Sequence, residues 1–245
     1  MKVVTRSMVE QIGVGETYTL PEGWILSPGA QSLLRERRAG VRIPPRRMRV
    51  VSTPVPAQPG GGYLDDGTGR PVGQKAEEMT QLAGNRLVRK DHPRIRFRGS
   101  LDSLQARIVT AQVLLEERGA QEELVEAMEE ILAFLRQVLR AEVLDEPLPA
   151  IRLLGLEDGE LRRQSHDPQK YFGVAPMVLP HRSMGLCYAL LNELRGAVRE
   201  GETWAVAAFG ERPTPAQRDI LRAMNRLSSV FHILMCRVLA GRYGA

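Results

Sequence analysis

Arg195 and Arg199 stand four residues apart within 194–200, and Asn225 and Ser229 repeat that spacing within 224–229. On a helix each pair shares a face, so two guanidinium groups can converge on one polyanion while an amide and a hydroxyl line a second wall. Asn225 interrupts the apolar set Ile220, Leu221, Met224, Leu227 and Phe231. A helix built only to pack would carry Leu or Ala there, because a buried amide is costly without hydrogen-bond partners. The function is expected where these two faces meet. Asp102, beside the apolar stripe of an earlier helix, suits either the helix dipole or a pair with Arg195 or Arg199. The polar segment 79–95 ahead of that helix, with Lys75 upstream, offers Thr80 and Lys90 as hydroxyl and ammonium donors to a triphosphate. The plain alternative for it is a solvated loop.

Other chemistries lack their residues. The four histidines, His92, His166, His181 and His232, show no i,i+4 pairing with a flanking glutamate, and there is no nucleophile elbow, Walker loop or dinucleotide fingerprint. The two cysteines, Cys187 and Cys236, lie in apolar helical stretches, so buried thiols are expected and no metal site. The net charge of +5 is concentrated, with Arg35, Arg37, Arg38, Arg42, Arg46, Arg47 and Arg49 opposed only by Glu36. Such a run suits nucleic acid or an anionic partner, but no aromatic residues interleave with it as base-stacking platforms would. A solvated arginine-rich surface is the first reading. No apolar run approaches the ~20 residues of a membrane span, and the first ten residues lack the apolar core of a signal peptide, so a cytosolic protein is expected.

The elements that must position these residues fall into two kinds of material. Residues 1–52 read as a small N-terminal α+β or irregular module, with a helix from Pro28 capped by Ser27 and ending near Gly40, then a short strand over 41–43. Residues 53–73 hold so many Pro and Gly that a linker is expected. Residues 74–245 read as an up-and-down helical bundle. One apolar stripe follows Gly99 through Leu101, Leu104, Ile108, Ala111 and Leu115; the next runs through Leu124, Met128, Ile131, Leu135 and Val138. A shorter helix over 157–166, a Pro- and Gly-containing loop through Pro180, and long helices over 182–209 and from Thr214-Pro215 to Leu239 complete it.

In order and spacing, 80–106, 140–148, 155–171, 190–202 and 219–229 resemble the corrinoid adenosyltransferases of the ethanolamine-utilization (EutT) type, distant relatives of the PduO type. The resemblance implies a PduO-like bundle and transfer of the 5′-deoxyadenosyl group of ATP, with Mg²⁺, to the Co(I) of cobalamin, with triphosphate released. It implies a homotrimer with active sites between subunits and a reductase partner. Ethanolamine ammonia-lyase or a microcompartment is a further implied association. By position, Arg195 matches the arginine that fixes a carboxylate at the subunit interface, Asp102 that carboxylate, Arg199 a phosphate-binding arginine, and Asn225 the asparagine that contacts ATP. Lys75 and Thr80 fall at an altered phosphate loop. Tyr171 or Phe172 is the implied side chain that displaces the lower corrinoid ligand. Some ethanolamine-type members carry a His- and Cys-rich metal motif in the region of 55–73, which holds neither residue here.

Two other classes remain open on the residues alone. One is a corrinoid- or nucleotide-binding relative without turnover, in keeping with the altered phosphate loop. The other is a nucleic-acid-binding regulator acting through 35–49, which lacks a helix-turn-helix to accompany it.

Overall fold

The computed structural model describes residues 2–21, 24–42 and 62–243. The chain divides into two compact units, Met1–Ala57 and Gln58–Ala245.

In the first unit, strand β1 (Lys2–Val4) pairs in parallel with β3 (Trp24–Leu26), and β2 (Thr17–Thr19) pairs in parallel with β4 (Gly40–Arg42). A 3-10 turn, Arg6–Val9, and helix α1 (Pro28–Glu36) bury Val4, Val9, Ala30, Leu33 and Leu34 between them. The α1 start follows its sequence signal: Ala30 N donates to Ser27 Oγ at 3.2 Å, and Pro28 occupies the first turn, where a missing N–H costs nothing. Arg37 is committed inside this unit, its Nη1 donating to the carbonyls of Glu10 and Ile12 at 2.6 and 2.5 Å. Arg46, Arg47 and Arg49, Ile43 of the expected strand, and residues 53–61 of the expected linker lie outside the described residues.

The second unit opens differently from its expectation. Within the breaker-rich stretch read as a linker, β5 (Tyr63–Asp65) and β6 (Pro71–Val72) form a hairpin. The glycines serve its turn instead of preventing it: Gly69 has φ +68, and Thr68 donates its N–H and hydroxyl to Asp65 Oδ1 at 2.8 and 2.7 Å. The segment 79–95 is likewise no loop. It forms β7 (Met79–Ala83) and β8 (Arg86–Arg89), completing a sheet of order β6-β5-β8-β7.

The bundle follows, with α2 (Pro93–Glu117), α3 (Glu122–Leu144), a short hairpin of β9 (Arg152–Leu153) and β10 (Leu156–Glu157), α4 (Asp158–His166), α5 (Pro168–Phe172), α6 (Gly185–Phe209) and α7 (Pro215–Leu239). Helix α2 starts well before Gly99, because Pro93 stands in its first turn and His92 Nδ1 accepts from Arg94 N at 3.2 Å. Helix α6 starts at Gly185 after a 3-10 turn, Arg182–Met184, while α7 starts where Thr214 and Gln217 form a capping box. The apolar stripes of α2 and α3 are buried, from Leu101 to Leu115 and from Leu124 to Val138. Gly201 brings three helices close: a Cβ there would stand 3.0 Å from Met224 Cε of α7 and 3.4 Å from Ser100 Oγ of α2. No helix among the described residues is long and apolar enough to cross a membrane. The molecule is thus mainly helical, an up-and-down bundle with a small α+β N-terminal unit.

Candidate active site

Helices α6 and α7 run antiparallel and pack along their length. On α6, Asn192, Arg195, Arg199 and Glu202 follow helical spacing down one side; on α7, Asn225, Ser229, His232 and Cys236 do the same. The two stripes cross at two points. Asn225 Nδ2 donates to Glu202 Oε1 at 3.0 Å, and Arg195 shares a cavity with His232 and Cys236. The register between those points leaves Arg199 on the stretch between them, exposed to solvent.

Asn225 differs from its sequence reading. The amide is exposed, and the buried polar residue is its neighbour Arg226, only 9% accessible. Arg226 Nε donates to Asp158 Oδ1 of α4, and its Nη1 donates to Asn225 Oδ1 at 2.8 Å. Arginine can only donate and an ionised glutamate can only accept, so the amide has one permitted orientation, oxygen toward Arg226 and nitrogen toward Glu202. One Nδ2 hydrogen and one Oδ1 lone pair remain for a ligand. Sequence reasoning passed over Arg226, Glu202 and Asp158. An arginine on the buried stripe beside Ala223, Leu227 and Val230 was a readable signal, whereas its partner 68 positions away was not.

The Arg195 cavity measures about 200 Å³ and is walled by α6, α7 and the loop 174–180. Among the described residues, Arg195 Nε and His232 Nδ1 are buried there with no hydrogen-bond partner, a costly arrangement that a ligand or a second polypeptide would relieve. Burial pushes Cys236 up to about 11, and Arg195 opposes that shift. Burial and then the Arg195 charge hold His232 below the usual imidazole range. Both groups are therefore neutral at pH 7. The loop offers apolar side chains to solvent beside this cavity, with Met177 87% and Leu179 83% exposed.

The remaining sequence candidates do not all join this stripe. Asp102 is exposed on α2, partial desolvation raises its carboxyl above the ordinary range, and among the described residues it makes no ion pair. The Asp102 pair with Arg195 or Arg199 is thus absent within one chain: α6 turns residues such as Ala197, Gly201 and Trp204 toward α2. Arg195 opens into the cavity it shares with α7, and Arg199, one turn on, is exposed. Thr80 is half-buried on β7, Lys90 is exposed just beyond β8, and Lys75 is exposed in the connection that leads to β7. These three share the β7–β8 region, and no hydrogen bond among the described residues joins them to Arg199 or Asn225. Tyr171 and Phe172, on α5, line a different cavity of about 450 Å³ with Arg237 and Arg242. Phe172 packs on the bundle core, and Tyr171 is exposed beneath Lys170 Nζ, 5.4 Å from the ring centre.

Among the described residues, the arrangement fixes an amide dipole between Arg226 and Glu202 and sets two guanidinium groups along α6. The cobalamin adenosyltransferase family model matches residues 73–238. The chain belongs to that family. The match takes in every candidate residue from Lys75 to Asn225 and leaves the N-terminal unit outside. The chain is 36% identical over 233 residues to corrinoid adenosyltransferase EutT of Salmonella typhimurium, covering 90% of this chain and 85% of that protein. It is 34% identical over 237 residues to EutT of Escherichia coli K12, with the same coverage. Among solved structures it is similar to a variant PduO-type ATP:corrinoid adenosyltransferase from Lactobacillus reuteri, complexed with cobalamin and ATP. That likeness has a TM-score of 0.51 at 18% identity, over 68% of this chain and 92% of the other. It concerns the fold, a helical bundle.

Proposed function

We propose that this chain transfers the 5′-deoxyadenosyl group of ATP to the Co(I) centre of a corrinoid such as cobalamin. The cobalt electron pair forms the Co–C5′ bond, the C5′–O5′ bond breaks, and the electrons leave on triphosphate. No proton has to move in that step. The protein contributes position and charge, which is what the α6–α7 stripe supplies. Arg199 meets the leaving triphosphate, and Asn225, its amide held by Arg226 and Glu202, orients the nucleotide. Thr80, Lys90 and Lys75 bring the β7–β8 hairpin over the phosphates.

The observation that carries this reading is the pinned Asn225 amide beside an exposed Arg199, together with an arginine whose buried Nε lacks a partner. Among the described residues, Asp102 has no ion-pair partner and Arg195 Nε no hydrogen-bond partner, which supports a homotrimer in which Asp102 of one copy meets Arg195 of another at an interfacial site. The exposed Met177 and Leu179 beside the Arg195 cavity suit the apolar face of a corrin, with Tyr171 and Phe172 on the neighbouring rim. A reductase would deliver the electron that makes Co(I), and the similarity to EutT proteins supports service to ethanolamine utilization.

The deciding experiment incubates the protein with ATP, Mg²⁺ and chemically reduced cobalamin and follows the light-sensitive adenosylcobalamin spectrum. Formation of one product per turnover with release of triphosphate is expected. Nucleotide binding without product would leave only the non-catalytic relative. The nucleic-acid reading loses Arg37, which is already bonded within its own unit.

A further inference from the structure

Glu142, in the last turn of α3, is a buried carboxylate outside the α6–α7 stripe, and both of its oxygens are taken. Arg94 Nε donates to Oε1 at 2.6 Å, and Arg98 Nε donates to Oε2. The Glu142 side chain has no exposed surface, and those of Arg94 and Arg98 keep 19% and 15%. Arg94 Nη2 also donates to the Glu142 carbonyl at 2.7 Å, satisfying one of the backbone oxygens that a helix end leaves open. Arg98 reaches further. Its Nη2 donates to the carbonyl of Leu82 in β7 at 2.7 Å.

Leu82 is where the β7–β8 ladder breaks register, between Gln81 and Ala83, so its carbonyl is turned out of the sheet and available to a helix. Thr80 lies two positions along the same strand. A cluster of two arginines and one carboxylate is a poor way to stabilise a bundle, since apolar side chains of the same volume would do as well or better. What it achieves here is geometric. It ties the irregular point of β7 to α2 and α3 together, through a planar guanidinium that bonds a carboxylate and a carbonyl at once.

We propose that Glu142 is a positioning residue for the nucleotide: through Arg98 it holds the Leu82 carbonyl, and hence Thr80, where the β7–β8 hairpin meets the triphosphate. The inference rests on the hairpin being the phosphate-bearing element. Glu142 itself touches no substrate.

The test uses the full-length protein and two variants, Glu142→Gln and Arg98→Lys. The lysine keeps a cation for Glu142 but lacks the two separate nitrogens with which Arg98 bonds carboxylate and carbonyl, so it weakens the tie to β7 and serves alone if the buried Glu142→Gln protein fails to fold. Amide exchange in β7 and β8 should quicken while α6 and α7 stay protected. The KM for ATP should rise about tenfold, the loss of roughly one charge-assisted hydrogen bond, with kcat at saturating ATP and the corrinoid KM changed by less than about twofold. Thr80→Ala is measured beside them. Unchanged hairpin exchange in folded Arg98→Lys overturns the clamp. An unchanged ATP KM in Arg98→Lys, where Thr80→Ala raises it, overturns the positioning role while leaving the hairpin reading intact. An unchanged ATP KM in both sets aside the hairpin as phosphate-bearing element, and the proposal with it.

Discussion

Arg226→Met removes the guanidinium and keeps an unbranched apolar stem in its place, so it tests whether Arg226 holds the Asn225 amide. The wild-type side chain is 11% exposed and its partner Asp158 is 38% exposed. Breaking a fully buried pair costs about 3–5 kcal/mol, but Asp158 can recover water at its exposed edge, so the expected loss is about 2 kcal/mol. For a unit of this size that corresponds to a fall in Tm of about 4–8 °C. The second effect is on function. With Arg226 gone, Glu202 alone restrains the amide, which can rotate away from the nucleotide; losing one oriented hydrogen bond should lower kcat/KM for ATP about five- to tenfold. Thermal denaturation and steady-state adenosylation from Co(I) read the two effects separately. Asn225→Ala should then cost less in the Arg226→Met background than in the wild type, because the contact is already compromised. An ATP KM unchanged in Arg226→Met, with Asn225→Ala carrying its full penalty in both backgrounds, would refute the claim that Arg226 orients this amide.

Other outcomes follow from the same geometry. Arg199→Ala should lose about 10²-fold in kcat with an unchanged melting temperature, since the side chain is exposed and its task is to meet leaving-group charge; full activity in a soluble protein would remove it from the site. Asp102→Asn and Arg195→Ala should each be damaging, and mixing the two proteins under conditions of subunit exchange should restore activity, because some interfaces then combine an intact Asp102 with an intact Arg195. No recovery from exchanged subunits would count against pairing across copies. His232 is held neutral in the fold, so on acidification through about pH 6.5 the unfolded chain binds the proton and the folded one does not. Stability should decline below that pH, and His232→Phe should flatten the decline in a series of melts; an identical slope in the variant would deny His232 that part. Met177→Ala should impair adenosylation started from Co(II) and a reductase more than that started from Co(I), whereas Phe172→Ala, cutting into core packing, should chiefly lower Tm. Equal losses from Co(II) and Co(I) in Met177→Ala would move the corrin contact elsewhere.

The long periodic stripes of α2 and α3, the capped start of α7 at Thr214-Pro215 and the shared face of Arg195 and Arg199 were determined by sequence alone. Helical periodicity and capping are local rules that need no knowledge of distant residues. The same locality misled where turn glycines stood between strands: Gly69 and Gly84 mark hairpins in a sheet whose strands are too short to announce themselves. Asn225 was legible as an anomaly in its apolar run, but not its exposure, nor the two bonds that orient it. Those depend on Glu202 and Arg226 meeting it from two helices, and on Asp158 meeting Arg226 from a third. Only the tertiary structure decided that Asp102 and Arg195 do not pair within one chain, and that Glu142 gathers Arg94 and Arg98 beneath the bulge at Leu82. A hydrogen bond acts over about 3 Å, and nothing in the order of residues states which distant side chains packing will bring to that distance.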